Sequence, residues 1–370
     1  MTMKKQLVLA LAFYTASTFT QAWAQTVPDW ERKWNTVLTA AKKEGKVVII
    51  APPDPQVREA LPVAFKAKYG ITVEYLGGRS NETAAKMRAE RNAGVHTVDV
   101  ALSGIQTMAA IFYREQMLDP IDDTVLLLPE VTEGKYWKKG KPWFMDPEGK
   151  YVLRLFNTLS SMFYVNTGQV KVEDFKSVQE LLNPKWKGKI VVHDPTVPGT
   201  GSNDAARLYV QFGEDFIKKL YIEQKPAIVR DRRQITDGIL RGTYAIALGA
   251  EDDDMDKLQK EGLPLAPIYE LSDLPGTLSA GVGQLALMNK APHPNAARVF
   301  INWMASKDGL ELFSRNRGGA PTRNDIDELS FLPEQAVPKP GVEYFDSFGW
   351  EFTLSTKEKI RERMVELLRK

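Results

Sequence analysis

The sequence predicts an α/β protein of two lobes, each a mostly parallel sheet flanked by helices. Three observations point there. Apolar, β-branched runs alternate with helix-period segments through the first third of the chain, the pattern of parallel strands joined by crossover helices. The chain has 370 residues, beyond the ~250–300 at which single hydrophobic cores stop growing. It has no cysteine, so neither disulfides nor thiolate metal sites can stand in for buried apolar area.

Taken in order, Lys4 and Lys5 precede the apolar run from Leu7 to Phe19, and Ala22-Trp23-Ala24 supplies the small-x-small pattern of an export signal cut after Ala24. The run is shorter than the ~20 residues that span a bilayer. Residues 1–24 therefore read as a leader, and the chain from Gln25 as a soluble periplasmic protein. A helix from Trp30 to Lys43 leads into the strand Lys46 to Ile50, which Ala51-Pro52-Pro53-Asp54-Pro55 ends. The helix Val57 to Tyr69, the strand Ile71 to Tyr75, the helix Glu82 to Ala93 and the strand Val98 to Leu102 follow. Ser103-Gly104 turns into a further helix at Ile105. Residues 25–128 are the first part of lobe one, and 129–160, where proline and tryptophan break the pattern, are the crossing.

Lobe two spans 161–278. Ser161 to Asn166 reads as a strand, Ser177 and Glu180 have capping-box spacing for a short helix, and Trp186 to Pro195 carries another strand. Gly199 to Asp204 opens a long helix. Strands at Ala227 to Arg230 and Ala245 to Leu248 flank a helix from Arg233 to Arg241. Residues 279–325 return to lobe one: Leu285 to Met288 is a short buried strand, and Ala297, Phe300, Ile301 and Met304 mark the buried face of a helix starting near Asn295. In the extension 326–370, Ser355 and Glu358 form a second capping box before an amphipathic helix whose apolar face, Ile360, Met364, Leu367 and Leu368, should dock on a lobe.

The return segment runs Asn289-Lys290-Ala291-Pro292-His293-Pro294-Asn295-Ala296-Ala297, then an aromatic-rich helix ending in Ser306-Lys307-Asp308-Gly309. With Trp186-Lys187-Gly188-Lys189-Ile190, it resembles the extracellular solute-binding proteins of ABC importers, in the branch that includes the ferric-ion binders. The resemblance implies a type 2 periplasmic-binding fold with the ligand cleft between lobes, a strand near Ser161 to Asn166 that crosses into lobe two, and a monomer delivering a small solute to an inner-membrane ABC permease. It implies no catalysis and no cofactor. Ferric binders of that family carry adjacent tyrosines just after the strand at Ala245 to Leu248. Here Glu251-Asp252-Asp253-Asp254 stands in that place, and the chain contains no Tyr-Tyr pair.

Charge and motifs narrow the function further. Without Lys4 and Lys5 the 49 basic residues fall to 47, equal to the 47 acidic ones, and no basic stripe marks a nucleic-acid surface. No nucleophile elbow, Walker loop or zinc-protease pair occurs. His96, His193 and His293 are scattered.

Ligands of open α/β sheets sit beyond the carboxyl ends of the strands, and four loops have suitable residues there: Pro52 to Pro55, Gly77 to Asn81, Ser103-Gly104 and Gly199 to Asp204. Arg79 offers a bidentate fork for an anion. Ser80, Asn81, Ser103, Thr200, Ser202 and Asn203 offer hydroxyl and amide groups, although such residues also serve as helix caps. Asp54 and Glu251 suit a hydroxyl, an amine or a metal. One of Arg230, Arg232 and Arg233 should turn inward, with Arg230 the named candidate. These residues favour a small polar, anionic solute. Two alternatives are a ferric or ferric-anion cargo held by carboxylates with an exogenous anion, Tyr164, Tyr269 and Tyr344 being isolated and reading as buried tyrosines with one hydrogen bond each, and a secreted hydrolase using a carboxylate pair such as Glu251 and Asp54.

Overall fold

The computed structural model describes residues 27–78, 80–250, 252–274, 276–327, 329–332 and 334–369. The leader, Arg79, Glu251 and the side chains of Ser80 and Asn81 lie outside what it describes. Lobe one begins with α1 (Asp29–Glu44), β1 (Lys46–Ala51), α2 (Pro55–Tyr69), β2 (Thr72–Gly77), α3 (Ser80–Asn92) and β3 (Val100–Ser103). Asp54 starts α2 by accepting from Val57 N–H at 3.0 Å, with Pro55 at the first helical position, where its missing N–H costs nothing. The helix expected at Ile105 is α4 (Ile105–Thr107), which runs on as a π-helical turn from Met108 to Tyr113. After β4 (Leu118–Asp119) and α5 (Pro129–Thr132), β5 (Leu153–Arg154) rejoins the same sheet.

β6 (Phe156–Ser160) carries the chain out, and β7 (Phe163–Asn166) is the first strand of lobe two. The crossing is thus made by β6 and not by the Ser161–Asn166 strand, which is wholly inside the second sheet. Lobe two continues through β8 (Ile190–His193), α6 (Thr200–Lys218), β9 (Ala227–Val229), α7 (Arg232–Leu240), β10 (Ile246–Leu248), α8 (Asp252–Lys260) and β11 (Leu265–Ile268). Its sheet order is β11-β7-β10-β8-β9. The chain returns through β12 (Thr277–Ser279) into β13 (Gln284–Met288), α9 (Pro294–Ala305), α10 (Lys307–Arg317) and β14 (Ala320–Pro321). The outgoing β6 and the incoming β12 pair antiparallel, with Leu159 opposite Leu278, so a small separate sheet, β14-β6-β12 plus β15 (Phe345–Asp346), joins the lobes.

That connection explains why neither main sheet is wholly parallel. β1 pairs parallel with β2 and β3, but β13 enters from the joining sheet and runs against β3, Leu285 opposite Leu102. β7 likewise opposes β10 while β8, β9 and β10 are parallel.

α9 is buried on most sides, as its thin polar face requires. Phe300 and Trp303 pack with Phe65 of α2 at ring distances of 5.2 Å each. Its one buried amide, Asn302, is fully used: Oδ1 accepts from Leu127 N–H at 2.8 Å and Nδ2 donates to Val125 O at 2.6 Å. His293 is structural, its Nδ1 2.9 Å from buried Asp99, which also accepts from Val48 N–H.

The two capping boxes differ from expectation. Ser177 caps a 3-10 turn, Val178–Leu182, by accepting from Gln179 N–H, so a tighter turn replaces the α-helix. Ser355 caps nothing: a π-helical turn from Phe352 to Thr356 already runs into α11 (Lys357–Leu368), and its hydroxyl donates to Glu351.

The extension bridges both lobes. Asp346 pairs with Arg154 of β5 at 2.5 Å, and Trp350 meets Tyr113 edge-on at 4.9 Å, both on lobe one. α11 docks on lobe two, with Ile360 and Met364 buried in its core and Arg363 donating to Glu214 at 2.9 Å. Hydrogen bonds from Arg363, then Lys218, lower the Glu214 pKa to about 2. A depressed carboxylate pKa contributes stability that is complete above its ordinary ~4.3 and is lost as pH falls toward 2. Exchange protection of the α11 amides, taken relative to the intrinsic rate at each pH, should therefore fall between pH 4.5 and pH 2, and Glu214→Gln should flatten that fall.

Candidate functional site

A cleft of about 520 Å³ lies where the two lobes and the joining sheet meet. Lobe two supplies Tyr164 of β7, the α6 start at Gly199, Thr200, Asn203, Asp204 and Arg207, Gly249-Ala250 after β10, Arg232 at the start of α7, and Tyr269. The joining sheet adds Thr158, Ser160, Thr277 and Ser279, with Ser161 just beyond β6. Lobe one contributes Arg317-Gly318, and the extension adds Ser347 and Phe348. Hydroxyl groups and guanidinium forks make up most of the polar part of this lining, beside an apolar part that includes Phe156, Leu159, Met162 and Phe163.

The start of α6 is set by close packing. Gly201 lies against the carbonyl of His193, where a Cβ would sit 2.2 Å from that oxygen, and Gly249, at φ +75°, abuts Gly201. Gly201 N–H donates to His193 Nδ1 at 3.1 Å, which fixes that nitrogen as an acceptor. The Thr200 hydroxyl, 3.0 Å from the same nitrogen, sends its proton to Gly249 O. These contacts hold the first turn of α6, which runs as a regular helix up to a break at Gly213, toward the cleft, where its end favours negative charge.

Three arginines line the cavity. Arg207, 3% exposed at its side chain, donates to Thr277 at 2.7 Å and pairs with Asp204 at 3.3 Å, leaving Nε without a partner. Arg317 pairs with Asp54 at 2.7 Å, and its buried Nε is likewise unmatched. Arg232 lies against Gly199: a Cβ there would meet its Nη2 at 3.6 Å. Asp204 is the one acidic side chain among the described lining residues.

The sequence-predicted residues divide accordingly. Thr200 and Asn203 reach the cleft together. Ser202 turns away: its Oγ donates to Gly199 O at 3.0 Å and accepts from Gly199 N–H, closing the helix cap. Asp54 stands behind Arg317. Burial alone would raise its pKa, but the Val57 N–H and then Arg317 outweigh that and lower it. Ser103 is buried at the end of β3. Arg230 points out, 77% exposed and paired with Asp194 at 2.9 Å, so Arg232 is the arginine that faces the cleft. Tyr164 and Tyr269 line the cavity, whereas Tyr344 is held by Glu270 at 2.8 Å away from it. Sequence reasoning missed Thr158, Ser160, Thr277, Ser279, Arg207 and Arg317. The joining-sheet residues fall on strands too short to show a period, and Arg207 sits mid-helix with no local signal.

Residues 60–339 match the bacterial extracellular solute-binding proteins. The chain belongs to that family. Its members bind small solutes outside the cytoplasm and pass them to a membrane permease, and this chain is such a solute-binding component of an ABC transporter. An uncharacterized protein of Haemophilus influenzae is 25% identical over 291 residues, 74% of this chain and 76% of its own. Among solved structures, the Trichodesmium FutA (IdiA) complex with iron and citrate superposes with a TM-score of 0.63 at 16% identity, covering 88% of this chain and 98% of that one. AfuA of Actinobacillus pleuropneumoniae, with fructose-6-phosphate bound, gives 0.58 at 19% identity over 88% and 99%. At these identities the two structures establish the shared fold: two α/β lobes of a type 2 periplasmic binding protein.

Proposed function

We propose that this family member captures a small anionic solute between its lobes and delivers it to an inner-membrane ABC permease, working as a monomeric periplasmic binding protein without turnover. One observation carries the reading: three arginines face the cleft against one carboxylate among its described lining residues. Guanidinium forks suit carboxylate or phosphate oxygens, and two of the three, Arg207 and Arg317, have an unmatched Nε–H. Bridging Arg207 and Arg232 on lobe two to Arg317 on lobe one favours the closed form by its extra contacts. Arg79, Ser80, Asn81 and Glu251 are proposed as further contacts, and Ala24 as the last residue of the cleaved leader, with the lobes divided at the boundaries read from the sequence.

Calorimetry with fructose 6-phosphate, citrate and a neutral sugar tests it. The anions should bind and the neutral sugar should not. Arg232→Ala should weaken the anion at least tenfold, about 1.4 kcal/mol. A neutral sugar that binds wild type and Arg232→Ala equally well would overturn the reading.

A second reading, ferric ion carried with an anion, is favoured by Tyr164 and Tyr269 lining one cleft. Loading with ferric citrate should then raise a visible tyrosinate-to-iron band that Tyr269→Phe diminishes. A colourless protein excludes tyrosine ligation.

A further inference from the structure

The C-terminal extension adds a chamber to the cleft. Where Ser347 and Phe348 pass between the lobes, a second cavity of about 170 Å³ opens, walled by Gln106 and Thr107 of lobe one, Asn203 of lobe two, and Thr353 and Lys357 of the extension. Asn203, Ser347 and Phe348 line both cavities, so the two adjoin.

Two features set the chamber's chemistry. Thr353 is 4% exposed, yet its Oγ1 has no hydrogen-bond partner, a state that buried hydroxyls rarely keep. The half-buried Lys357 ammonium makes no hydrogen bond or ion pair with any described residue. Burial lowers its pKa, with only its neighbour Glu358 acting the other way. A desolvated lysine beside an unmatched hydroxyl and a free amide is a set of donors that an oxyanion satisfies. Size limits the occupant: the chamber is several times the ~30 Å³ share of one water, but below the ~300 Å³ of pockets that enclose a whole drug-sized ligand. It suits one end of a solute whose body lies in the main cleft.

We propose that this chamber is a second anion subsite, in which Lys357, Thr353 and Asn203 take the far oxyanion of a solute whose first anionic group lies at Arg207, Arg232 and Arg317. The inference rests on the anionic reading of the cleft and narrows its solute to a molecule with two anionic ends. Thr353 and Lys357 lie beyond the residues 60–339 that match the family, so family membership does not account for their part in the subsite. Because both lobes and the extension wall it, a bound second group adds contacts that only the closed form offers.

Calorimetry on the full chain tests it with two kinds of probe. Inorganic phosphate should occupy two sites per chain in wild type and one in Lys357→Met or Thr353→Val. Fructose 1,6-bisphosphate should bind at least tenfold tighter than fructose 6-phosphate, and Lys357→Met should abolish that advantage. One phosphate per chain, removed by Arg232→Ala and kept by Lys357→Met, overturns the subsite and leaves the anionic cleft standing. So does a bisphosphate advantage that survives Lys357→Met. Absence of any phosphate binding overturns both.

Discussion

Trp303→Ala should destabilise lobe one by about 3–5 kcal/mol, the range for removing a large aromatic side chain from a packed core. The residue is 2% exposed, and its ring lies 5.2 Å from Phe65 and 5.9 Å from Phe300, where α2 meets α9. Phe65 packs tilted against Tyr69 and edge-on against Phe300, so the gap cannot close by a single rotamer change. Equilibrium unfolding in urea, followed by tryptophan fluorescence and far-ultraviolet dichroism, should show the midpoint fall with little change in slope. A midpoint within the error of wild type would mean that α9 does not anchor the return of the chain. The cleft lining contains none of these rings, so the folded fraction should still take up solute.

Gly201→Ala should do the reverse and remove binding while costing about 1–3 kcal/mol of stability, the usual range for overpacking. Its Cβ would stand 2.2 Å from His193 O, 2.6 Å from the carbonyl carbon and 3.0 Å from Asp194 O. Backbone atoms held in a sheet cannot swing aside as the end of a side chain can, so the first turn of α6 must retreat. Thr200, Asn203 and the helix end move with it, and affinity for the anion should fall tenfold or more. Val210→Ala is the control: it lies on the same helix, 47% exposed and outside the lining of either cavity. Equal loss of affinity in both variants would show that the retreat of α6 is not the cause.

Much of the scaffold was legible because its signals are local. The run from Lys46 forms the strand it spells, and α9 starts one residue from its expected position at Asn295. His293 falls in a structural role for a reason the sequence could not show, since its partner Asp99 lies 194 residues away. The cleft was legible only in part. Thr200 and Asn203 could be found because a glycine-rich helix start after a strand announces itself. Arg207 could not, since what makes it a cleft residue is Thr277, 70 positions later. Arg230 and Arg232 stand two apart in one charged run. Asp194 draws the first outward, and the start of α7 against Gly199 places the second inward.

The sequence by itself determined the alternation of strand and helix, the helix start at Gly199, and membership in a family of solute-binding proteins, because periodicity, glycine-rich turns and family motifs are written in neighbouring residues. Only the tertiary structure decided that β6 rather than β7 crosses between lobes, that Arg232 and Arg317 face one cavity, and that the extension spans both lobes to bring Thr353 and Lys357 beside it. The reason is physical. A cleft between lobes is walled by side chains far apart in the chain, and which way each one turns is set by ion pairs and packing partners that no local pattern specifies.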